Sequence, residues 1–64
     1  MTRLKELRTA QQLSQAALAE KAGVSLRMLQ HYEQGYKDIN KAQAGTLYKV
    51  AQALGCRIED LLEL

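Results

Sequence analysis

The segment from Gln15 to Gly35 constrains the fold of this chain more than any other part of the sequence. Ser14 and Ser25 are good N-cap residues, because a serine side chain accepts a hydrogen bond from a free backbone N–H group at a helix start. Gly23 lies between them, and glycine ends a helix easily because it tolerates the left-handed backbone conformation. The segment therefore predicts two short helices joined by a tight turn. The two predicted helices run from Gln15 to Ala22 and from Leu26 to Gln34.

The second of these helices has an apolar side and a polar side. On a helical wheel, Leu29 and Tyr32 lie on the side that faces a core. The opposite side carries a polar stripe at helical spacing: Arg27, Gln30, His31 and Gln34. Any solvated surface helix has such a stripe, so the stripe alone does not distinguish solvent from a binding partner.

The rest of the chain also predicts helices and no strand. Alanine, leucine, glutamine, lysine and glutamate dominate the composition, and all of them favour helices. The first helix runs from about Thr2 to Gln11, a fourth begins after the N-cap Asn40 and continues to Leu54, and a short fifth covers about Ile58 to Leu62. We therefore predict an all-α fold, a compact single domain of five helices over residues 1–64.

Size and composition limit the possible functions. Of the 64 residues, 47% are hydrophobic, which is enough for a core, but the chain is too short to enclose much of a substrate cleft. Cys56 is the only cysteine, so neither an intrachain disulfide nor a cysteine-based zinc site is expected. No apolar run approaches the roughly 18 residues that span a membrane, and no secretory segment begins the chain. We expect a soluble cytoplasmic protein, and the initial methionine and final helix are consistent with a complete one.

The charge distribution indicates an anionic partner more clearly than the net charge of +2 does. Three of the seven acidic residues, Glu59, Asp60 and Glu63, lie in the last six positions. The part of the chain before them has nine basic residues and four acidic ones. This excess of positive charge favours binding to a polyanion, with the acidic C-terminal end directed away from it.

The order of the helices and several residues in them resemble the Cro and phage-repressor helix-turn-helix family. The residues that carry the resemblance are Ser14 and Gln15 at the start of the second helix, Ala19, Gly23, Leu29, and Glu33 to Gly35. The segments LYKVAQALGC, from Leu47 to Cys56, and IEDLL, from Ile58 to Leu62, are similar to the closing half of the same domain. The resemblance covers nearly the whole chain. It implies a lambda-repressor-like DNA-binding domain with its helix-turn-helix at about residues 15–34.

The resemblance also implies which residues contact DNA. In that family the third helix reads bases, a role that falls here to Leu26, Arg27, Gln30 and His31. Arginine can bond bidentately to guanine and glutamine to adenine, while leucine can contact a thymine methyl group. Phosphate contacts in the family come from the start of helix two and from the loop after helix three. On this sequence they fall on Gln15, Tyr36, Lys37, Asn40 and Lys41.

Arg8 is unusual because it shares the otherwise apolar side of the first helix with Leu4 and Leu7. Glu33 likewise leans toward the apolar side of its own helix. A half-buried charge needs a partner, and an arginine at this place in the family commonly pairs with the glutamate near the end of helix three. We therefore predict a structural salt bridge between Arg8 and Glu33.

The resemblance implies a prokaryotic or phage transcription regulator that binds a palindromic operator in double-stranded DNA as a homodimer, at least when on DNA. Leu61, Leu62 and Leu64 exceed what one face of a short helix needs, so part of this group is a candidate dimer interface. An alternative is a protein-interaction module, such as the antitoxin of a toxin–antitoxin pair, which would use Leu26, Met28 or the C-terminal leucines. No triad, metal set or phosphate loop is recognisable, so we expect no enzyme, cofactor, metal site or small-molecule ligand.

Overall fold

The computed structural model describes residues 2–63, and over that range it contains four α-helices, two 3-10 turns and no strand. The helices are α1 (Arg3–Ala10), α2 (Gln15–Ala22), α3 (Leu26–Glu33) and α4 (Ala44–Leu54). The 3-10 turns are Ile39–Lys41 and Ile58–Asp60. The predicted all-α class is confirmed, while the predicted number of five helices is too high by one.

The helix-turn-helix forms as its capping residues predict. Ser14 Oγ accepts a hydrogen bond of 3.0 Å from the Ala17 N–H, and Ser25 Oγ accepts one of 3.3 Å from the Met28 N–H. Between the helices Gly23 has a φ of +71°, the left-handed conformation that a residue with a β-carbon adopts at a cost. These local interactions fix α2 within its predicted bounds and end α3 one residue earlier than predicted.

A core of leucines holds α2 against both α3 and α4. Four leucines are at most 1% exposed, and each comes from a different part of the chain: Leu4, Leu18, Leu29 and Leu61. Leu61 follows the second 3-10 turn and closes the core, so it is not available for a dimer interface. Leu62 is partly buried against the same core, and Leu64 lies outside the described residues.

Asn40 does not cap α4, contrary to the sequence prediction. The helix begins at Ala44 instead, after Gln43, whose side chain makes no capping hydrogen bond. Asp38 caps the preceding 3-10 turn by accepting a hydrogen bond of 2.9 Å from the Asn40 N–H. The Asn40 amide binds the backbone of Glu63, with Oδ1 accepting from its N–H at 2.8 Å and Nδ2 donating to its carbonyl at 3.3 Å. A contact distant in sequence has therefore replaced the local cap.

The predicted fifth helix is a single 3-10 turn rather than an α-helix. Arg57, which is a poor cap by its side chain, donates its backbone N–H to Asp60 Oδ2 at 3.0 Å. The chain leaves the turn at Leu61, which is completely buried in the core. Burial of this leucine directs the chain inward where a further helical turn would have carried it along the surface.

Gln12 ends α1 in a left-handed conformation, with a φ of +59°. That conformation costs a residue with a β-carbon roughly 1–2 kcal/mol. Replacement by glycine removes this cost, but part of the gain is lost because glycine is more flexible in the unfolded chain. We expect Gln12→Gly to raise the free energy of unfolding by up to about 1 kcal/mol, measured by urea denaturation. Gln34→Gly is the matched control, because Gln34 is an exposed helix C-cap with a φ of −88°. Equal destabilisation by both changes would contradict the prediction.

Candidate nucleic-acid interface

The outer side of α3 brings together the four residues predicted to read bases. Leu26 is 40% exposed and Arg27 is exposed, while Gln30 and His31, one turn further along, are half-buried. At 100° per residue these positions span about 140° of the helix surface. The opposite side packs into the core through Leu29, so α3 is anchored along one side and open along the other.

An ion pair between α1 and α3 anchors the end of this helix. Arg8 Nε lies 2.7 Å from Glu33 Oε2, and Arg8 Nη2 lies 2.8 Å from Glu33 Oε1, so the contact is bidentate. The remaining guanidinium nitrogen, Nη1, donates to the Leu13 carbonyl at 2.7 Å. Both charged residues are only 8% exposed. The salt bridge expected from the sequence is thus present, and it fixes the orientation of α3 relative to α1.

The ion pair determines the ionisation of both partners. Hydrogen bonding to Glu33 raises the pKa of Arg8, against the opposing effect of burial. Burial acts to raise the pKa of Glu33, but the hydrogen bonds from Arg8 and Gln15 and the positive charge of Arg8 outweigh it, so this pKa is lowered. The pair is therefore held in its charged form at neutral pH.

Gln15 links the ion pair to the outer side of α3. Its Nε2 donates to Glu33 Oε1 at 3.1 Å, and its Oε1 lies 3.5 Å from Gln30 Nε2. An ionised carboxylate only accepts hydrogen bonds, so the nitrogen of the Gln15 amide must face Glu33. Among residues 2–63, the Gln15 amide nitrogen donates only to Glu33. Neither helical periodicity nor the family resemblance indicated this contact, which joins side chains on two different helices.

The loop after α3 carries the other four residues predicted to contact phosphates. Gly35 has a φ of +81°, and the chain turns back so that the N–H groups of Tyr36 and Lys37 donate to the His31 carbonyl at 2.9 and 3.3 Å. Tyr36 is 75% exposed, and Lys37 and Lys41 are exposed as well. Asn40 is exposed too, but both polar atoms of its amide are engaged by Glu63.

Comparison with known proteins identifies the family that has this arrangement. A family model described as helix-turn-helix, of the Cro/C1 type, matches residues 4–61. The chain belongs to the Cro/C1-type helix-turn-helix family. In helix-turn-helix proteins that bind DNA, the second helix of the motif lies in the major groove, and the helix at that position in this chain is α3.

Two similar proteins are consistent with this assignment. An uncharacterized transcriptional regulator in the ATPase CF(0) region of Rhodospirillum rubrum is 40% identical over 57 residues, which make up 89% of this chain and 50% of that protein. The crystal structure of the restriction-modification controller protein C.AhdI from Aeromonas hydrophila matches with a TM-score of 0.82 and 33% identity, covering 94% of this chain and 86% of that one. The helix-turn-helix chain thus spans about half the length of the curated relative it matches.

One surface hollow lies apart from the interface of this helix-turn-helix domain. A hollow of about 380 Å³ is lined by Arg3, Glu6, Leu7, Ala10 and Asp60, none of which is a candidate DNA contact. Among residues 2–63, no three histidine, cysteine, aspartate or glutamate side chains gather closely enough to hold a metal ion. Over the same range, no helix has the length and apolar character needed to cross a membrane.

Proposed function

We propose that this domain binds double-stranded DNA with sequence specificity by placing α3 in the major groove, and that it acts as a prokaryotic or phage transcription regulator in the cytoplasm. The observation that carries this proposal is the asymmetry of α3. Its inner side is fixed by Leu29 and by the buried ion pair through Glu33, while Arg27, Gln30 and His31 share its open side. A helix held rigidly along one side can enter the groove without losing further orientational freedom.

The proposed base contacts follow from the chemistry of these side chains. Arg27, the most exposed cation on the helix, suits the O6 and N7 acceptors of guanine. Gln30 suits the N6 and N7 atoms of adenine, and His31 suits a base acceptor or a phosphate. Leu26, at 40% exposure, fits a thymine methyl group. Together these four residues would determine which sequence is bound.

The proposed phosphate contacts flank α3 on both sides. Of the five residues that the family resemblance implies, we propose four as phosphate contacts, Gln15, Lys37, Asn40 and Lys41, whereas the ring of Tyr36 contacts His31 instead. The two lysines supply the positive charge, and Gln15 has one amide N–H left after bonding to Glu33. Asn40 contributes least, because Glu63 holds its amide. Such contacts set the register of the domain on DNA, whereas the base contacts select the sequence.

Replacing Arg27 with alanine should relax discrimination at one base pair of the bound site. The expected loss is about 1–3 kcal/mol on the preferred duplex, because one bidentate contact to guanine is removed. The measurement is DNA affinity over a set of duplexes that differ by single base pairs. Gln34→Ala is the matched control, since Gln34 is an exposed polar residue of the same stripe outside the proposed contact set. Loss of affinity by the same factor on every duplex would show that Arg27 does not read a base.

Replacing Lys37 with alanine should weaken binding to all duplexes about equally. Removing one phosphate contact should also reduce the slope of log affinity against log salt by about 1. Affinity measured as a function of salt concentration checks both effects, with the exposed Lys49→Ala on α4 as control. Binding of the unaltered domain that is independent of salt, or absent for every duplex, would exclude the proposed function.

We further propose that the domain acts as a homodimer on a palindromic site. The eight residues of α3 reach only a few base pairs, so a second copy would supply the specificity of a full operator. Two reading helices would lie about 34 Å apart, one turn of B-DNA. Selection of bound duplexes from a random pool tests binding and symmetry together. The expected result is two inverted half-sites with centres about 10 base pairs apart, and a single unrepeated half-site would exclude the dimer.

A protein-interaction module, such as an antitoxin, is the second candidate function. The exposure of Leu26 on the same side as the polar residues favours it, because an exposed leucine at the start of α3 also suits an apolar partner. The random-pool selection separates the two functions. An interaction module would enrich no sequence, and its partner affinity would fall on replacement of Leu26 or Met28.

A further inference from the structure

Tyr36 is an exposed aromatic residue that contacts the ring of His31. Among residues 2–63 it has the most exposed large hydrophobic side chain, at 75%, yet its ring contacts the ring of His31. The centroids of the Tyr36 and His31 rings lie 5.8 Å apart at an interplanar angle of 74°, an edge-to-face contact. Aromatic rings attract each other in this geometry, because the positive edge of one faces the negative face of the other.

The backbone brings Tyr36 close to His31. The left-handed Gly35, with a φ of +81°, reverses the chain at the end of α3. As a result the N–H of Tyr36 returns to the His31 carbonyl at 2.9 Å, and the N–H of Lys37 reaches the same oxygen at 3.3 Å. Main-chain hydrogen bonds within the domain therefore set the backbone position of Tyr36 beside His31.

We propose that Tyr36 is a positioning residue: its ring holds the His31 imidazole in the direction from which it contacts DNA, and its hydroxyl has no required role. This proposal rests on the proposed DNA-binding function and assigns Tyr36 a role other than the phosphate contact that the family resemblance implies. A histidine without a neighbour samples several rotamers, and binding must then restrict it to one. The edge contact selects the rotamer beforehand, so sequence discrimination at the His31 base pair depends on the Tyr36 ring.

Positioning of His31 by the ring and a phosphate contact by the hydroxyl predict different results for Tyr36→Phe and Tyr36→Leu. Phenylalanine keeps the ring and removes the hydroxyl, so a positioning role leaves affinity and discrimination unchanged. Leucine removes the aromatic contact, and the expected loss on the preferred duplex is about three- to tenfold, the range an aromatic pair supplies. Tyr36→Leu should lose discrimination at the same base pair of the bound site as His31→Ala does. In the His31→Ala background, Tyr36→Leu should have no additional effect.

His31 is the only histidine of the chain, which permits a check in the free protein. The NMR resonances of its ring C–H protons should carry a ring-current shift that persists in Tyr36→Phe and disappears in Tyr36→Leu. An unchanged melting temperature in Tyr36→Phe and Tyr36→Leu would show that these substitutions do not alter the overall stability of the domain. The proposal would be overturned if Tyr36→Phe weakened every duplex equally, or if Tyr36→Leu cost the same factor with and without His31. If the unaltered domain bound no duplex, the proposed function would fail first, whatever the NMR shift showed.

Discussion

Replacing Glu33 with alanine should lower the free energy of unfolding by about 3–5 kcal/mol. The change leaves two nitrogens of the Arg8 guanidinium buried without their acceptors, and only Nη1 keeps its hydrogen bond, to the Leu13 carbonyl. A buried charge without a partner is costly because little water can reach it. A domain of this length has about 3–10 kcal/mol of stability in total, so the loss is a large fraction of that stability. Urea denaturation followed by far-UV circular dichroism measures the loss.

The control removes both charges together. Arg8→Met combined with Glu33→Leu leaves no charge unpaired, so it should cost less than Glu33→Ala alone. The difference in the free energy of unfolding between Glu33→Ala and the unaltered domain should also become smaller in acid. Because the folded pKa of Glu33 lies below its ordinary value of 4.5, the stabilisation is complete above that value and is lost as the pH falls through the folded pKa. A difference that stays constant down to the acid transition would contradict the role given to the ion pair.

Replacing Leu18 with alanine should lower the free energy of unfolding by about 2–5 kcal/mol. Leu18 is 0% exposed and belongs to α2, the helix that packs against both α3 and α4. The substitution removes apolar surface from the core and leaves a cavity at the point where three helices meet. The same denaturation experiment measures the effect, and DNA affinity corrected for the unfolded fraction should be unchanged.

Two substitutions test whether burial is the cause. Leu18→Met keeps the volume of the side chain and should cost less than about 1.5 kcal/mol. Leu26→Ala removes the same atoms from a residue that is 40% exposed, so its effect on stability should be small although it lies in the proposed DNA contact set. Equal loss of stability from Leu18→Ala and Leu26→Ala would mean that the core does not depend on Leu18.

The accuracy of the sequence-based predictions differs between the two halves of the chain. Up to Gly35 the bounds of the helices depend on caps and on apolar spacing, which act within a few residues of each other, and they agree with the structure to within one residue at each end. The Arg8–Glu33 pair was also predicted, because both charges lie on apolar helix sides and need partners, and the family resemblance indicated that they pair with each other. After Gly35 local signals were misleading. Asn40 has the chemistry of an N-cap and still bonds to Glu63, 23 positions away.

In the candidate interface, too, some features follow from local sequence and others depend on the folded surroundings. The set of residues on the outer side of α3 follows from helical periodicity alone, whereas their surroundings do not. The hydrogen bond from Gln15 to Glu33 and the edge contact of Tyr36 with His31 depend on how α2 and the loop return to α3. The left-handed Gln12 was equally hidden, because no glycine marks that position.

The sequence by itself determined the all-α class, the helix-turn-helix from Gln15 to the end of α3, and the salt bridge that anchors it. These features arise from backbone caps, helical periodicity and the cost of burying an unpaired charge, all of which can be judged from residue type and spacing. Only the tertiary structure decided where α4 begins, why residues 58–60 form a 3-10 turn, and which neighbours hold Gln15 and His31. These outcomes depend on the folded surroundings: Asn40 bonds to Glu63 in place of a local cap, and Leu61 is buried in the core directly after the turn.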